Sequence, residues 1–341
     1  MQQLRIALIG LGRFAQLHAH IWRQLPHVQI TALCDRDEDR FAPFREWFPD
    51  ATCYTDWQEM LASQPFDAVD ILTPEHMHAE PAIAAMEVGA HVFVEKPIAH
   101  HADAAEAMIR TARQRGRMLM IGHVLRFDPR YIAMKQELQR GAYGSIRSIY
   151  AKRNNGTIYF PIYNRVNPVY ILGIHDIDLM HWYMEDEVRE VYTVRSSRDD
   201  GGPADMSWAM LTFRRGGIGI LENNWLVPQG APSETDIRME ITTGQGTLLM
   251  KDTTQGVSFS DASGTQSPAL LNQYDVHGVI GGPLAYELRH FADCVLAGRP
   301  STVLQPSDAL RALRVAAAVE QSAKEGKPVS LSPISEERTA R

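Results

Sequence analysis

Over the first third of the chain, apolar residues fall into short continuous runs. Residues 4–10, 28–35, 68–73, 92–95 and 118–122 each read as a buried strand. Between them the apolar positions recur at helical spacing. Phe14, Leu17, Ile21 and Leu25 predict a helix over 13–24, and further helices are expected over 38–47, 79–89 and 102–115. Strands that are apolar throughout and alternate with helices predict a doubly wound parallel sheet covered on both faces. After about residue 123 the pattern changes. A helix near 128–140 leads to a turn at Gly141-Ala142-Tyr143-Gly144, and the strands that follow alternate between apolar and polar: 146–151, 188–195, 206–213, 217–225 and 236–242. Gly201-Gly202, Arg215-Gly216-Gly217 and Gly244-Gln245-Gly246 are expected to be hairpin turns. One helix, 168–184, interrupts these strands, with Pro168 suited to its first turn, and two more are expected over 284–297 and 306–324. The fold class is therefore α/β, followed by an α+β domain built on a mostly antiparallel sheet. The expected domains are 1–123 and 124–333, with a polar tail over 334–341 and the last helix free to pack back on the first domain.

At 341 residues the chain is long enough for two cores. A formal charge of −7, with Lys and Arg scattered, argues against a nucleic-acid partner, which would select a basic stripe. No apolar run approaches the roughly 20 residues of a membrane span, and the N-terminus enters a strand without a signal-like leader. A cytoplasmic location is expected. The three cysteines, Cys34, Cys53 and Cys294, are an odd number at wide spacing, so neither a disulfide framework nor a zinc cluster is expected.

Gly10-Leu11-Gly12-Arg13-Phe14-Ala15 sits between a strand and a helix. Gly10 permits a tight turn, Gly12 lets backbone approach a pyrophosphate, and Ala15 lets helix pack on strand, while the helix start offers amide donors. Arg13 and Phe14, at that helix start, are expected cofactor contacts with the two glycines. Asp35, 23 residues after Gly12, ends the second strand and suits the adenosine ribose hydroxyls, which favours NAD. Arg36 next to it leaves NADP open. Thr73-Pro74-Glu75-His76-Met77-His78 follows the third strand at the edge where ligands of such sheets lie. Thr73, Pro74 and His78 are expected to touch the cofactor. His76-x-His78 lacks a third ligand nearby, and His18-x-His20 points two ways on a helix, so no metal is expected.

Glu95-Lys96-Pro97 ends the next strand. Pro97 restricts Lys96 to extended backbone, which presents its side chain at the ligand edge. Lys96 is the expected proton donor or acceptor, with burial beside a cationic nicotinamide lowering its pKa, and Glu95 is expected in the same cofactor site. Beyond the fifth strand, His123 is a substrate candidate and Arg126 a cofactor candidate. On the 168–184 helix, His175 and Asp178 are three apart and share a face, so histidine can relay a proton with the aspartate orienting it. Asn154, Asn155, Asn164, Arg165 and Asn167 form a polar loop ahead of that helix. Its amides suit a polyhydroxylated ligand as readily as solvent, with Asn155 and Arg165 the substrate candidates.

With the glycine turn, Thr73-Pro74, Glu95-Lys96-Pro97 and Gly173-Ile174-His175-Asp176-Ile177-Asp178 in place, the chain resembles the Gfo/Idh/MocA family, that of glucose–fructose oxidoreductase and inositol dehydrogenase. The resemblance runs from residue 4 to about 330. It implies an N-terminal Rossmann domain and a C-terminal domain whose large open sheet forms homodimers or homotetramers. It also implies a nicotinamide-dependent oxidation or reduction of a secondary alcohol of a sugar or cyclitol, with the active site in the interdomain cleft. Lys96 matches the family's catalytic lysine and His175 its catalytic histidine. Many members carry an aspartate four residues before that histidine, where this chain has Ile171. A Lys96–His175 pair assisted by Asp178 is therefore expected. Two alternatives stay open: a redox-neutral, NAD-dependent glycoside-cleaving enzyme, and a non-catalytic sugar-sensing regulator on the same fold, against which Lys96 argues.

Overall fold

The computed structural model describes residues 3–198, 202–252, 257–261, 264–267 and 272–334. Gly201 of the expected Gly201-Gly202 turn, and the expected tail beyond Ile334, lie outside these residues. The chain divides into two compact units. One holds the chain up to Phe127 together with Gln273–Leu310; the other holds Asp128–Asn272 together with Arg311–Ile334.

In the first unit, β1 (Leu4–Ile9), α1 (Arg13–Arg23), β2 (Val28–Cys34), α2 (Phe41–Trp47), β3 (Thr52–Tyr54), α3 (Trp57–Ser63), β4 (Ala68–Ile71), α4 (Ala79–Glu87), β5 (His91–Val94), α5 (Ala102–Arg115) and β6 (Leu119–Ile121) follow in order. The six strands are all parallel and lie in the order β3-β2-β1-β4-β5-β6. That is the Rossmann order, and its direction reverses between β1 and β4. Ile6, Leu8, Val69, Ile71, Val92 and Phe93 are fully buried, as strands covered on both faces require.

The second unit begins with α6 (Pro129–Gln139) and β7 (Ile146–Gly156), followed by the short α7 (Phe160–Tyr163) and by α8 (Ile174–Met184). Strands β8 (Val188–Ser196), β9 (Met206–Phe213), β10 (Ile218–Val227), β11 (Thr235–Thr243) and β12 (Thr247–Lys251) come next. Two small hairpins, β13–β14 (Phe259–Asp261, Gly264–Gln266) and β15–β16 (Tyr274–Val276, Val279–Gly281), precede α9 (Pro283–Leu296), α10 (Pro306–Glu325) and β17 (Val329–Ser330). The large sheet runs β12-β11-β7-β10-β9-β8-β17. It is mixed: β7 and β10 pair in parallel, and the other neighbours are antiparallel.

One face of this sheet, with Ile149, Ala151, Leu211, Phe213, Leu221 and Met239, is buried. Helix α8 lies against it, close enough that a Cβ on Gly219 would stand 2.8 Å from Met180 Sδ. The other face leaves Tyr192, Val194, Trp208, Met210 and Ile218 exposed. Cross-strand register places Tyr192 opposite Met210 and Val194 opposite Trp208.

The segment Gln273–Leu310 belongs to the first unit, where the sequence places it in the second domain. The reason is the apolar stripe of α9: Leu284, Leu288, Phe291 and Ala292 join Trp22 of α1 and Phe93 of β5 in one core. The Phe291 ring meets those of Phe93 and Trp22 edge-on, with centroids 5.5 and 6.3 Å apart. Among the described residues no helix is long and apolar enough to cross a membrane.

Candidate active site

Parallel strands of this order bind ligands outside their C-terminal ends, at the point where the order reverses. The loops after β1 and β4 meet there. Gly10 has φ +90°, and a Cβ on it would lie 2.8 Å from the Thr73 amide nitrogen, so only glycine lets the two loops close on each other. Gly12 is different: a Cβ there would meet no protein atom within 4 Å. The room beside Gly12 is thus left for something other than the chain. Gly12 also caps α1 without a side-chain hydrogen bond, and the helix's first turn carries no acid, so its N-terminus is open to an anion. Asp35 accepts the Leu11 N–H at 2.7 Å, which sets its carboxylate beside the glycine turn. These residues fit the pyrophosphate and ribose of a dinucleotide.

Glu95 and Lys96 follow β5, one strand further on. The Lys96 N–H donates to Glu95 Oε2 at 3.1 Å. Glu95 in turn faces His18, with Oε1 3.5 Å from Nε2. His18 is wholly buried on α1 and holds Asp70 of β4 with Nδ1 at 2.9 Å, while Trp22 Nε1 donates to the same Asp70 oxygen at 2.7 Å. Burial alone would push the His18 pKa down. The charges and hydrogen bonds of Asp70 and then Glu95 reverse this and hold it up at about 9, so His18 is an imidazolium at neutral pH. Gly122, after β6, is glycine because a Cβ would come within 2.5 Å of Glu95 Oε1. The sequence gives no sign of this arrangement: His18 reads as an ordinary helix position until the strands are assembled.

His78 is also buried, and its ring ties the two neighbouring loops together. Nδ1 lies 2.9 Å from the Pro97 carbonyl and Nε2 2.7 Å from the Thr73 carbonyl. Both nitrogens are engaged with backbone, which makes His78 the brace between Thr73-Pro74 and Lys96-Pro97 and removes the metal reading of His76-x-His78. Burial, against those two carbonyls, holds its pKa below the ordinary value.

In the second unit, His175 is the second residue of α8. The five residues before that helix, Val169–Gly173, form one turn of π-helix, a device common where a helix carries function. A Cβ on Gly173 would lie 2.3 Å from Asn223 Oδ1 of β10, so the turn is seated tightly on the sheet. Of the two acids on α8, Asp176 is committed to structure: Arg153 holds both its oxygens at 2.9 Å and also reaches the Tyr131 hydroxyl at 3.1 Å. Asp178 is buried, one turn beyond His175.

The other expected contacts have these neighbours in the structure. Arg126 is 4% exposed, and its Nη1 donates to Val303 O and Asp308 Oδ2, both at 3.0 Å, so it anchors the returning Gln273–Leu310 segment within its own unit. Arg36 reaches Met77 Sδ, whereas Arg40 is the arginine at Asp35, 3.3 Å away. Asn154 bonds Glu222, and Asn167 accepts the Val169 N–H at the start of the π turn. Asn155 pairs across the sheet with Thr235, and exposed Arg165 bonds the Ile162 carbonyl. His123 is buried at the C-terminal end of β6. Arg13 and Phe14 are exposed beside the glycine turn, with the Phe14 ring against that of His18 at 5.0 Å.

Residues 4–123 match the model of an oxidoreductase family with an NAD-binding Rossmann fold, and residues 131–249 match the GFO/IDH/MocA C-terminal domain. The chain is 26% identical over 341 residues to myo-inositol 2-dehydrogenase of Thermotoga maritima, covering 97% of this chain and 99% of that protein. It is 27% identical over 352 residues to D-apiose dehydrogenase of Paraburkholderia graminis, covering 100% and 93%. The fold matches the crystal structure of scyllo-inositol dehydrogenase from Lactobacillus casei with bound NAD(H) and scyllo-inositol, with a TM-score of 0.84, 20% identity, and 96% and 99% of the two chains covered. With a glycine turn that leaves room for a pyrophosphate and a lysine on the next strand but one, the chain belongs to the GFO/IDH/MocA family of NAD-dependent oxidoreductases.

Proposed function

We propose that this enzyme oxidises a secondary alcohol of a cyclitol or sugar, with Lys96 as the general base. The observation that carries this reading is the place of Lys96: it follows the strand beside β4 at the ligand edge, and its backbone is held by Glu95, which faces the buried His18–Asp70 pair. When bound, NAD supplies the hydride-accepting carbon. Lys96 removes the hydroxyl proton as the carbinol carbon is oxidised, and returns it in the reverse direction. His175 hydrogen-bonds the same hydroxyl or its neighbour, oriented by Asp178. Ile171 is apolar and holds no proton, so the pair works without the aspartate that many members carry. The cyclitol and sugar names of the relatives support the substrate class. Lys96→Ala should lower kcat by about 10²–10⁴-fold while leaving the Kd for NAD within threefold. Unchanged turnover would end the assignment.

The protein is further proposed to form a homodimer or homotetramer through the open face of its large sheet. Tyr192, Val194, Trp208, Met210 and Ile218 leave there an exposed apolar area of a kind that marks an interface. Beside it stand ordered charges: Glu222 accepts from Tyr150 and Asn154, and Lys152 pairs with Asp236. A double substitution, Trp208→Lys with Met210→Lys, should shift the mass seen by light scattering to that of a monomer. A wild-type chain already monomeric at micromolar concentration would refute the proposal.

A further inference from the structure

The first unit carries a second cavity, on the edge of the sheet opposite Gly10, Thr73 and Lys96. His91, which opens β5, and Met118, just before β6, mark it as the N-terminal edge of the parallel strands. The cavity holds ≈ 540 Å³, within the range of small-ligand sites. Its walls come from the end of α5, the end of α9 and the chain leading into α10.

Two features give the cavity a chemistry. Its floor is apolar, formed by Ile109, Ala112, Leu119 and Leu304. Its charged lining is entirely basic: Arg113, Arg117 and Arg299 contribute guanidinium groups, and no aspartate or glutamate lines it. None of the three makes an ion pair among the described residues, in a chain whose formal charge is −7. The nearest acids act from outside the lining. Asp67 is taken by Arg5, Asp293 lies by Cys294 and His290, and Asp308, which accepts the Gln305 N–H, is taken by Arg126.

Arg117 Nε is buried and has no hydrogen-bond partner among the described residues, a condition that a bound acceptor relieves. The Met118 N–H donates to His91 Nδ1 at 2.9 Å, so the neutral imidazole keeps its proton on Nε2 and is itself a donor. Burial, and then the neighbouring Arg117, hold the His91 pKa below its ordinary value. The cavity thus gathers donors and positive charge over an apolar floor, with no carboxylate in its lining to neutralise them.

We infer that this cavity is a second binding site, for a small organic anion: a carboxylate or phosphate carried on an apolar body. The anion takes the guanidinium groups, bidentate where geometry permits, and the apolar body covers the floor. The dinucleotide site plays no part in this binding, since its residues follow the other ends of the strands.

The test is calorimetry on the full chain saturated with NAD, so that the cofactor site is filled, using phenyl phosphate, benzoate and inorganic phosphate as probes. Phenyl phosphate should bind one to one and bind more weakly as salt is raised. Its affinity should fall at least tenfold in Arg117→Ala and in the double variant Arg113→Ala/Arg299→Ala. Arg113 and Arg299 are exposed, so this pair can be removed without opening the core, and NAD affinity serves as the check on folding. Inorganic phosphate should bind at least tenfold more weakly than phenyl phosphate, for want of a body to fill the floor. Absence of saturable binding by phenyl phosphate and benzoate, or binding indifferent to both sets of substitutions, would overturn the site. Equal affinity for inorganic phosphate would overturn its apolar half.

Discussion

Replacing His18 by glutamine removes a buried cation placed between two carboxylates, Asp70 and Glu95, and its effect depends on pH in a calculable way. His18 has a folded pKa of about 9 against 6.5 when free, which corresponds to about 3 kcal/mol of stabilisation. The folded state holds the proton more tightly than the unfolded chain. The stabilisation is therefore complete below pH 6.5 and is lost as the pH rises to 9. The other shifted groups act outside this window. His20, His78, His91 and His290 have lowered values, so they weaken the fold only below pH 6.5. Cys34, raised to about 12 by burial and then by Asp35 and Asp56, and Cys294, raised chiefly by burial, begin to weaken the fold as the pH nears 9, equally in wild type and variant. Urea unfolding of the cofactor-free protein at pH 6, 7.5 and 9 should show the wild type losing about 3 kcal/mol across the series. The variant should be less stable at pH 6 and nearly flat. A wild type equally stable at pH 6 and 9, or a variant with the same slope, would refute the reasoning.

Two further outcomes follow from the cofactor edge. Gly10→Ala places a Cβ 2.8 Å from the Thr73 nitrogen at φ +90°; it should cost about 1–3 kcal/mol and weaken NAD binding at least tenfold by fluorescence titration. Asp35→Asn keeps an acceptor for the Leu11 N–H but removes a charge, and Arg40 remains 3.3 Å from where the carboxylate stood. Its kcat/KM with NAD should drop by about 10–100-fold, and the ratio of NADP to NAD activity should rise; an unchanged ratio would remove Asp35 from nucleotide selection.

The parts of the fold that were legible are those in which apolar periodicity is long or uninterrupted. Helix 102–115 and strand 206–213 match the structure end to end. β3 and α3 escape because a three-residue edge strand and a seven-residue helix have no room for a period. β7 is expected to stop at 151 but runs to Gly156, because Arg153 and Asn154 find buried partners in Asp176 and Glu222 and so stay in the sheet. β12 follows the expected Gly244-Gln245-Gly246 turn, yet its five residues are too few to read as a strand. The π turn before His175 is equally silent, since Val169 to Gly173 has the apolar look of any helix start. The residues near the cofactor edge were legible where glycine or proline marks the backbone. The supports of Lys96 were not, because His18, Asp70 and Glu95 are far apart in sequence and only sheet assembly brings them together. Likewise, the return of α9 to the first core rests on Leu288 and Phe291 meeting Trp22 and Phe93, a contact no local pattern encodes.

The most direct test is the stoichiometry of NADH formation at 340 nm when the enzyme is given NAD and, in turn, myo-inositol, scyllo-inositol and a panel of aldoses. The account predicts that at least one of them yields one NADH per molecule oxidised, and that Lys96→Ala abolishes this while still binding NAD. Consumption of a glycoside with no net NADH, or full activity in the lysine variant, would contradict it.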